Sequence, residues 1–416
     1  MTCFNHQRRR SWLSWWLGLG LLSLAACQPA TVDDAVNGDR EPVVAEQLVL
    51  RNATLEQADE SGNVLWKINA QRTSYSEDKQ TATLEDLTGN LLQDGEIILK
   101  VRAAGGEVRL EEDGEKVFLR GQIEATDPRN DLTIRAQELD WLPREDRVVA
   151  RQNLRVSHPQ LEVVAEEARY QTREEQLDLL GKVVATAKEQ PVQLQSEKLS
   201  WAIDARLLTS DRGIELTRYQ APETSNALNL LERSANRSLA LGADIGLILA
   251  PPPLPERITD RVVAEQAELN LETLVVLLRD AVESRSLEPP LQIASDSIVW
   301  SLKPRTVLAD QPVQVFHRQD QVELAANQGF ADLERETVQL SDGALGRNPQ
   351  NGSELSADEI LWQIPERRVQ AEGSVIYKQP DPPLHLVGSR AVGNLDQQNI
   401  TITGGSNQRV VTNIMP

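Results

Sequence analysis

The sequence predicts an all-β fold, an elongated stack of strand-turn-strand rungs of about 31 residues in two facing layers. Three observations point there. Short runs alternate apolar and polar residues: Ile97–Val101 reads I-I-L-K-V, Val117–Ile123 reads V-F-L-R-G-Q-I, and Ile400–Thr403 alternates strictly. Such period-2 runs are the pattern of half-buried antiparallel strands. Asp94-Gly95, Asp113-Gly114 and Asn351-Gly352 are hairpin turn signals. Third, one motif recurs: a small residue, an aromatic or large apolar residue some five positions later, a charged turn, then a β-run often ending in Gly.

The N-terminus comes first. Arg8, Arg9 and Arg10 precede an apolar run, Trp12–Leu24, that ends in Leu24-Ala25-Ala26-Cys27. A basic start, a short apolar core and small residues before a cut site describe a secretory signal peptide, predicted over 1–26. The run falls short of the roughly 20 residues that span a bilayer. Leu-Ala-Ala-Cys resembles a bacterial lipobox, so Cys27 is the expected lipid attachment site. Cleavage there would take the net charge from −20 to −23, since three Arg and no acid leave. It would also leave Cys27 as the sole Cys, with no internal disulfide and no thiol nucleophile. Residues 27–46, rich in Pro, Ala, Asp, Gly and Val without periodicity, read as a flexible tether.

The rungs follow. In residues 47–220 the anchors Tyr75, Val108, Trp141, Tyr170 and Trp201 lie 33, 33, 29 and 31 apart. In 262–416 Leu269, Trp300, Phe330, Trp362 and Val392 lie 31, 30, 32 and 30 apart. Copies include Ala136…Trp141, Ala165…Tyr170, Ser196…Trp201, Ser295…Trp300, Ala325…Phe330 and Ala357…Trp362. The interval from 201 to 269 is 68, or about two units of altered sequence. Residues 221–261, with Ala250-Pro-Pro-Pro-Leu-Pro255, read as a loop or a degenerate rung. Within Glu265–Ser284 the spacing of Leu269, Leu271, Leu274, Val275, Leu277 and Leu278 fits a helix face or a strand pair. A lone rung cannot bury its apolar face, so stacking along an axis is required. The alternative is two ordinary β-sandwiches joined at about 221–261.

The composition excludes several functions. A net charge of −20 over 416 residues opposes general nucleic-acid binding, which needs basic surface. His6, His158, His317 and His385 are scattered, and no HExxH, CxxC, P-loop or GxGxxG context occurs. Ala103-Ala104-Gly105-Gly106 and Gly404-Gly405 lie in strand texture with no helix following, and read as bulges or corners. Glu111-Glu112-Asp113-Gly114-Glu115 reads as a solvated hairpin tip rather than a calcium loop, whose ligand spacing is missing. No enzyme, cofactor or metal is expected. Each aromatic anchor alone reads first as the largest residue where rungs interlock. Collectively, a two-layer stack with 4% aromatics has an interior suited to extended apolar chains if its edges gape.

At this point a resemblance enters. "LVLRNATLEQADESGNVLWKINAQRTSYSEDKQTATLEDLTGNLLQDGEIILK", residues 48–100, is similar to the N-terminal part of the periplasmic lipopolysaccharide transport family LptC, in its long cyanobacterial-type form. The strand pair "ATLEQADESGNVLWKI", then "A-x-x-x-x-Y" and "L-x-x-L-x-G-N", carries it, and it continues through about residue 220. The resemblance implies an incompletely closed antiparallel β-jelly roll that holds lipopolysaccharide acyl chains inside. It also implies an inner-membrane ABC transporter complex as donor and an LptA-like β-jelly roll as acceptor, met edge strand to edge strand. Groove candidates on that basis are Ile68, Tyr75, Trp141, Tyr170, Trp201, Trp300, Phe330 and Trp362. Many members carry a transmembrane helix where this chain carries Cys27; a periplasmic protein anchored through Cys27, at the inner rather than the outer membrane, is the expectation. A structural or adhesive envelope lipoprotein with a closed core is the competing one.

Overall fold

A computed structural model describes residues 48–59, 61–111, 114–220, 257–396, 399–404 and 410–413. The signal segment, Cys27, the tether, Asp113 and most of 221–261 lie outside the described residues.

Strands account for nearly all of what is described. They are β1 (Val49–Ala58), β2 (Val64–Tyr75), β3 (Thr81–Gln93), β4 (Glu96–Glu111), β5 (Gly114–Asp127), β6 (Leu132–Leu142), β7 (Arg147–Ser157), β8 (Leu161–Gln171), β9 (Gln176–Ala187) and β10 (Val192–Ala202). There follow β11 (Leu207–Ser210), β12 (Ile214–Tyr219), β13 (Ile258–Ala264), β14 (Gln266–Asn270), β15 (Val275–Ser286), β16 (Leu291–Ser301), β17 (Thr306–Ala309) and β18 (Val313–His317). The series ends with β19 (Val322–Ala326), β20 (Gln328–Asp332), β21 (Thr337–Asn348), β22 (Ser353–Gln363), β23 (Arg368–Gln379), β24 (Leu384–Asn394), β25 (Asn399–Thr403) and β26 (Val411–Asn413). The one helical turn among the described residues is the 3-10 segment Pro143–Glu145 between β6 and β7.

All pairings are antiparallel and all strands join one sheet. Each row pairs with the next along the chain, and five rows are broken into two collinear strands. Among the described residues the ladder does not return on itself: β1 pairs with β2, and β25 and β26 pair with β24. The jelly roll is therefore not closed into a barrel. Glu265–Ser284 is a strand pair, β14 against β15, with Leu269 inward and Leu277 outward. Residues 221–261 do not separate two sandwiches, because β12 and β13 pair directly from Ile214↔Ala264 to Arg218↔Asp260.

Alternation writes the strands. In β8, LEVVAEEARYQ, the inward set Leu161, Val163, Ala165, Ala168 and Tyr170 is buried and the intervening residues are not. The alternation slips once, between Ala165 and Ala168, where a bulge shifts the register. Nearly every full-length row carries such a mid-length bulge. It divides the row into two limbs and bends it.

The glycines at the ends of the predicted β-runs are these bulges. Gly181 and Gly373 sit inside β9 and β23 at φ +74° and +75°, a conformation costly for any residue with a Cβ. The strand continues past each of them. The Ala103–Gly106 cluster likewise lies within β4, at a register shift between Arg102 and Gly105. The bend brings the two limbs face to face around one contiguous apolar core.

Candidate functional site

Cross-strand register draws two continuous columns through that core. On the first limb Tyr75 pairs with Ala82, then Val108, Val117, Trp141, Val148, Tyr170, Leu177 and Trp201. The column continues through Leu208, Leu269, Val276, Trp300, Val307, Ala331, Val338, Trp362, Val369, Gly393 and Ile400. The second limb carries Ile68, Gly89, Val101, Ala125, Ile134, Val156, Val163, Ala185, Leu194 and Leu216, and extends to Leu355 and Tyr377.

Ile68, Trp141, Tyr170, Trp201, Trp300 and Trp362 are therefore brought together inside, all buried. Tyr75 is half-buried against the same core. Phe330 is not part of it. It is 39% exposed, beside Leu308 on the outer face, and Ala331 holds the column position. The rung begins at buried Ala326 rather than Ala325, and a one-residue slip moves a side chain to the other face of a strand. Val392 is displaced the same way; Gly393 is in the column. The step from Trp201 to Leu269 is one repeat, not two, because Leu208 alone pairs with both.

The limbs meet along a seam of hairpin tips, which the sequence reading missed. Gln93 Nε2 donates to Asp146 Oδ1 at 2.7 Å, and Arg173 reaches Asp94 and Asp146 at 3.1 and 3.0 Å. The Tyr170 hydroxyl donates to Asp127 Oδ2 at 2.6 Å, and Arg129 Nη2 donates to the same oxygen at 2.7 Å. Arg129 also faces Glu175 at 3.2 Å. Arg305 faces buried Asp260 at 3.3 Å, and Arg367 faces Asp320 at 2.6 Å. His158 stands edge-on to Trp201 at 5.0 Å between ring centres, and His317 to Trp362 at 4.9 Å.

Electrostatics follow from burial. Burial alone would raise the Asp127 carboxyl, but hydrogen bonds from Arg129 and Tyr170 outweigh it and hold it below its ordinary value. The Tyr170 phenol is pushed up by burial and then by its bond to Asp127. His158 and His317 are held below the usual imidazole value, chiefly by burial. Among the described residues no group of three or more His, Cys, Asp or Glu could hold a metal ion.

The packing loosens toward the C-terminal end. There the core opens into a cavity of about 450 Å³ whose apolar wall includes Leu324, Leu355, Ile360, Val369, Tyr377 and Ile400. Its polar rim includes Arg347, Asn351, Arg367 and Gln379. At the other end β1 leaves Leu48, Val49 and Leu50 exposed. Among the described residues no helix is long and apolar enough to cross a membrane.

Comparison with known proteins gives two similarities. The family model described as "Lipopolysaccharide-assembly, LptC-related" matches residues 26–162. No curated protein matches. A solved structure that is similar is LptH, the LptA homologous periplasmic component of the conserved lipopolysaccharide transport device from Pseudomonas aeruginosa. It is 15% identical, with a TM-score of 0.22, over 38% of this chain and 95% of that chain. Over residues 26–162 of its 416, the chain is thus similar to the lipopolysaccharide-assembly, LptC-related family.

Proposed function

We propose that this chain is a non-enzymatic, lipopolysaccharide-conveying component of a trans-envelope bridge. It holds acyl chains between its two limbs and passes them from an inner-membrane ABC transporter complex to the next β-jelly roll. The observation that carries the reading is the pair of unbroken inward columns leading to the apolar cavity at the C-terminal end. Shielding acyl chains there is favourable by about 0.8 kcal/mol per buried CH₂. The net charge of −20 keeps an anionic head group in water while the tails go inside.

The outer edges of β1 and of the last row supply strands for addition to neighbouring jelly rolls, LptA-like in character. Anchoring through a lipidated Cys27, the preceding signal peptide and the tether at 27–46 complete the proposal and place the protein in the periplasm. On this reading the LptC-like jelly roll of 47–220 continues through 262–416 as one groove.

A second reading, a structural or adhesive envelope lipoprotein, is favoured by the filled middle of the stack, where Trp201 and Trp300 are at most 1% exposed. Native mass spectrometry of the full chain from its own membranes separates the two. Bound glycolipid is the result expected of a conveyor. A lipid-free chain that also fails to take up added lipopolysaccharide supports the closed core.

A further inference from the structure

Aromatic residues are sorted between the faces against hydrophobicity. After residue 26 the chain has five Trp and three Phe. All five Trp, namely Trp66, Trp141, Trp201, Trp300 and Trp362, are inside. Phe118, Phe316 and Phe330 all point outward, Phe118 against the guanidinium groups of Arg109 and Arg120. Phe would fill the interior with no polar atom to satisfy; Trp, or Tyr as at Tyr170, is used instead.

Each of those five indole Nε1 atoms is buried and has no hydrogen-bond partner among the described residues. Buried polar groups are normally bonded, and an unsatisfied donor costs about 1–3 kcal/mol. Trp is ordinarily placed where its N–H finds a partner. The core does satisfy other donors: Tyr170, in the same column, gives its hydroxyl to Asp127. The unpaired donors are also regularly placed. Trp141, Trp201, Trp300 and Trp362 occupy every fourth row of one column. At about 4.8 Å per row that is a donor roughly every 19 Å along the stack.

We infer that the interior tryptophans are a line of hydrogen-bond donors for the ester and amide carbonyl oxygens of an acylated lipid. The inference rests on the proposed lipid-conveying function and specifies its ligand: acyl chains bearing carbonyl acceptors, as opposed to plain hydrocarbon. When a lipid lies between the limbs, its carbonyls accept from the indoles that the lipid-free protein leaves unpaired. Recognition is then by acceptor chemistry at repeated stations, with no cationic site needed for the head group.

The test is the indole ¹⁵N–¹H spectrum of the full chain in dodecyl maltoside, which carries no carbonyl. Lipid A is added in one arm and hexadecane in the other, and native mass spectrometry reads binding in parallel. The expected result is a downfield shift of interior Nε1–H protons with lipid A and none with hexadecane. Trp141→Phe and Trp300→Phe should each weaken lipid A binding by roughly two- to ten-fold, the worth of one hydrogen bond, and leave hexadecane binding unchanged. Lipid A that binds without moving these protons, or equal shifts from hexadecane, overturns the inference and leaves the conveying function standing. Failure of lipid A to bind at all removes both. A Phe variant that unfolds is recognised by its lost ¹⁵N–¹H dispersion, and the wild-type arms then decide alone.

Discussion

Replacing Asp127 by Ala unlocks one tip of the seam. The carboxylate is fully buried and accepts from the Tyr170 hydroxyl, the Arg129 backbone N–H and the Arg129 guanidinium, at 2.6, 2.8 and 2.7 Å. Removing it strands a buried phenol and leaves the Arg129 guanidinium, 25% exposed, with Glu175 as its remaining carboxylate. Breaking a buried pair by deleting one partner costs about 3–5 kcal/mol, and the partial exposure of Arg129 argues for the lower end. At about 1.4 kcal/mol per tenfold, local opening becomes roughly a hundred-fold more frequent. Hydrogen exchange reads this directly. Peptides covering 127–134 and 168–176 should exchange about a hundred-fold faster in Asp127→Ala, with 336–345 unchanged as the internal control. The isosteric Asp127→Asn, which keeps an acceptor but not the charge, should fall between. Unchanged exchange over 168–176 would refute the claim that Asp127 holds the limbs together.

Further outcomes follow from the same geometry. Trp362→Ala should destabilise by about 3–5 kcal/mol in urea titration, whereas Phe330→Ser, on the outer face, should stay within about 0.5 kcal/mol. In Gly89→Ala the new Cβ would lie 2.9 Å from the Lys67 carbonyl oxygen, and a loss of about 1–3 kcal/mol by the same titration is expected. His158 and His317 titrate below the usual imidazole value when folded, so the unfolded chain takes up protons first. Their contribution is complete above about pH 6.5 and erodes as pH falls below it. The thermal midpoint should drop between pH 7.5 and 5.5, and His158→Gln with His317→Gln should flatten that slope. Asp127 has the lowered carboxylate value, so its share is lost only in a more acid window, below about pH 4.

Much of the fold is legible because alternation and turns are local. The spacing of Trp141, Tyr170, Trp201, Trp300 and Trp362 locates the inner column without coordinates, since a stacked repeat returns to the same face. The errors share a cause, which is counting residues without pairing. Phe330 and Val392 were each one position off, and with a period of two that is the wrong face. The interval from 201 to 269 suggests two repeats by length, but β12 pairs directly with β13 across it. The glycine bulges resembled strand ends because Gly181 and Gly373 break local propensity while the hydrogen-bond ladder runs on past them.

The seam was hidden for a different reason. Tyr170 lies 43 residues from Asp127, and Arg305 lies 45 from Asp260. That is about one and a half repeats, beyond the reach of a local motif, and the Asp–Arg pairing recurs between Asp320 and Arg367, 47 residues apart. The unpaired indoles were equally invisible, since a sequence shows that Trp is present and not whether its N–H has found a partner.

The most direct test of the lipid-conveying reading is site-specific photo-crosslinking to lipopolysaccharide in cells. A benzophenone side chain is placed in turn at Ile68, Trp141, Tyr170 and Trp300 on the inner columns, and at Phe330 on the outer face. Lipopolysaccharide adducts at the four inner positions and none at Phe330 are the result the account predicts. Adducts at Phe330 with none at the inner positions would contradict it.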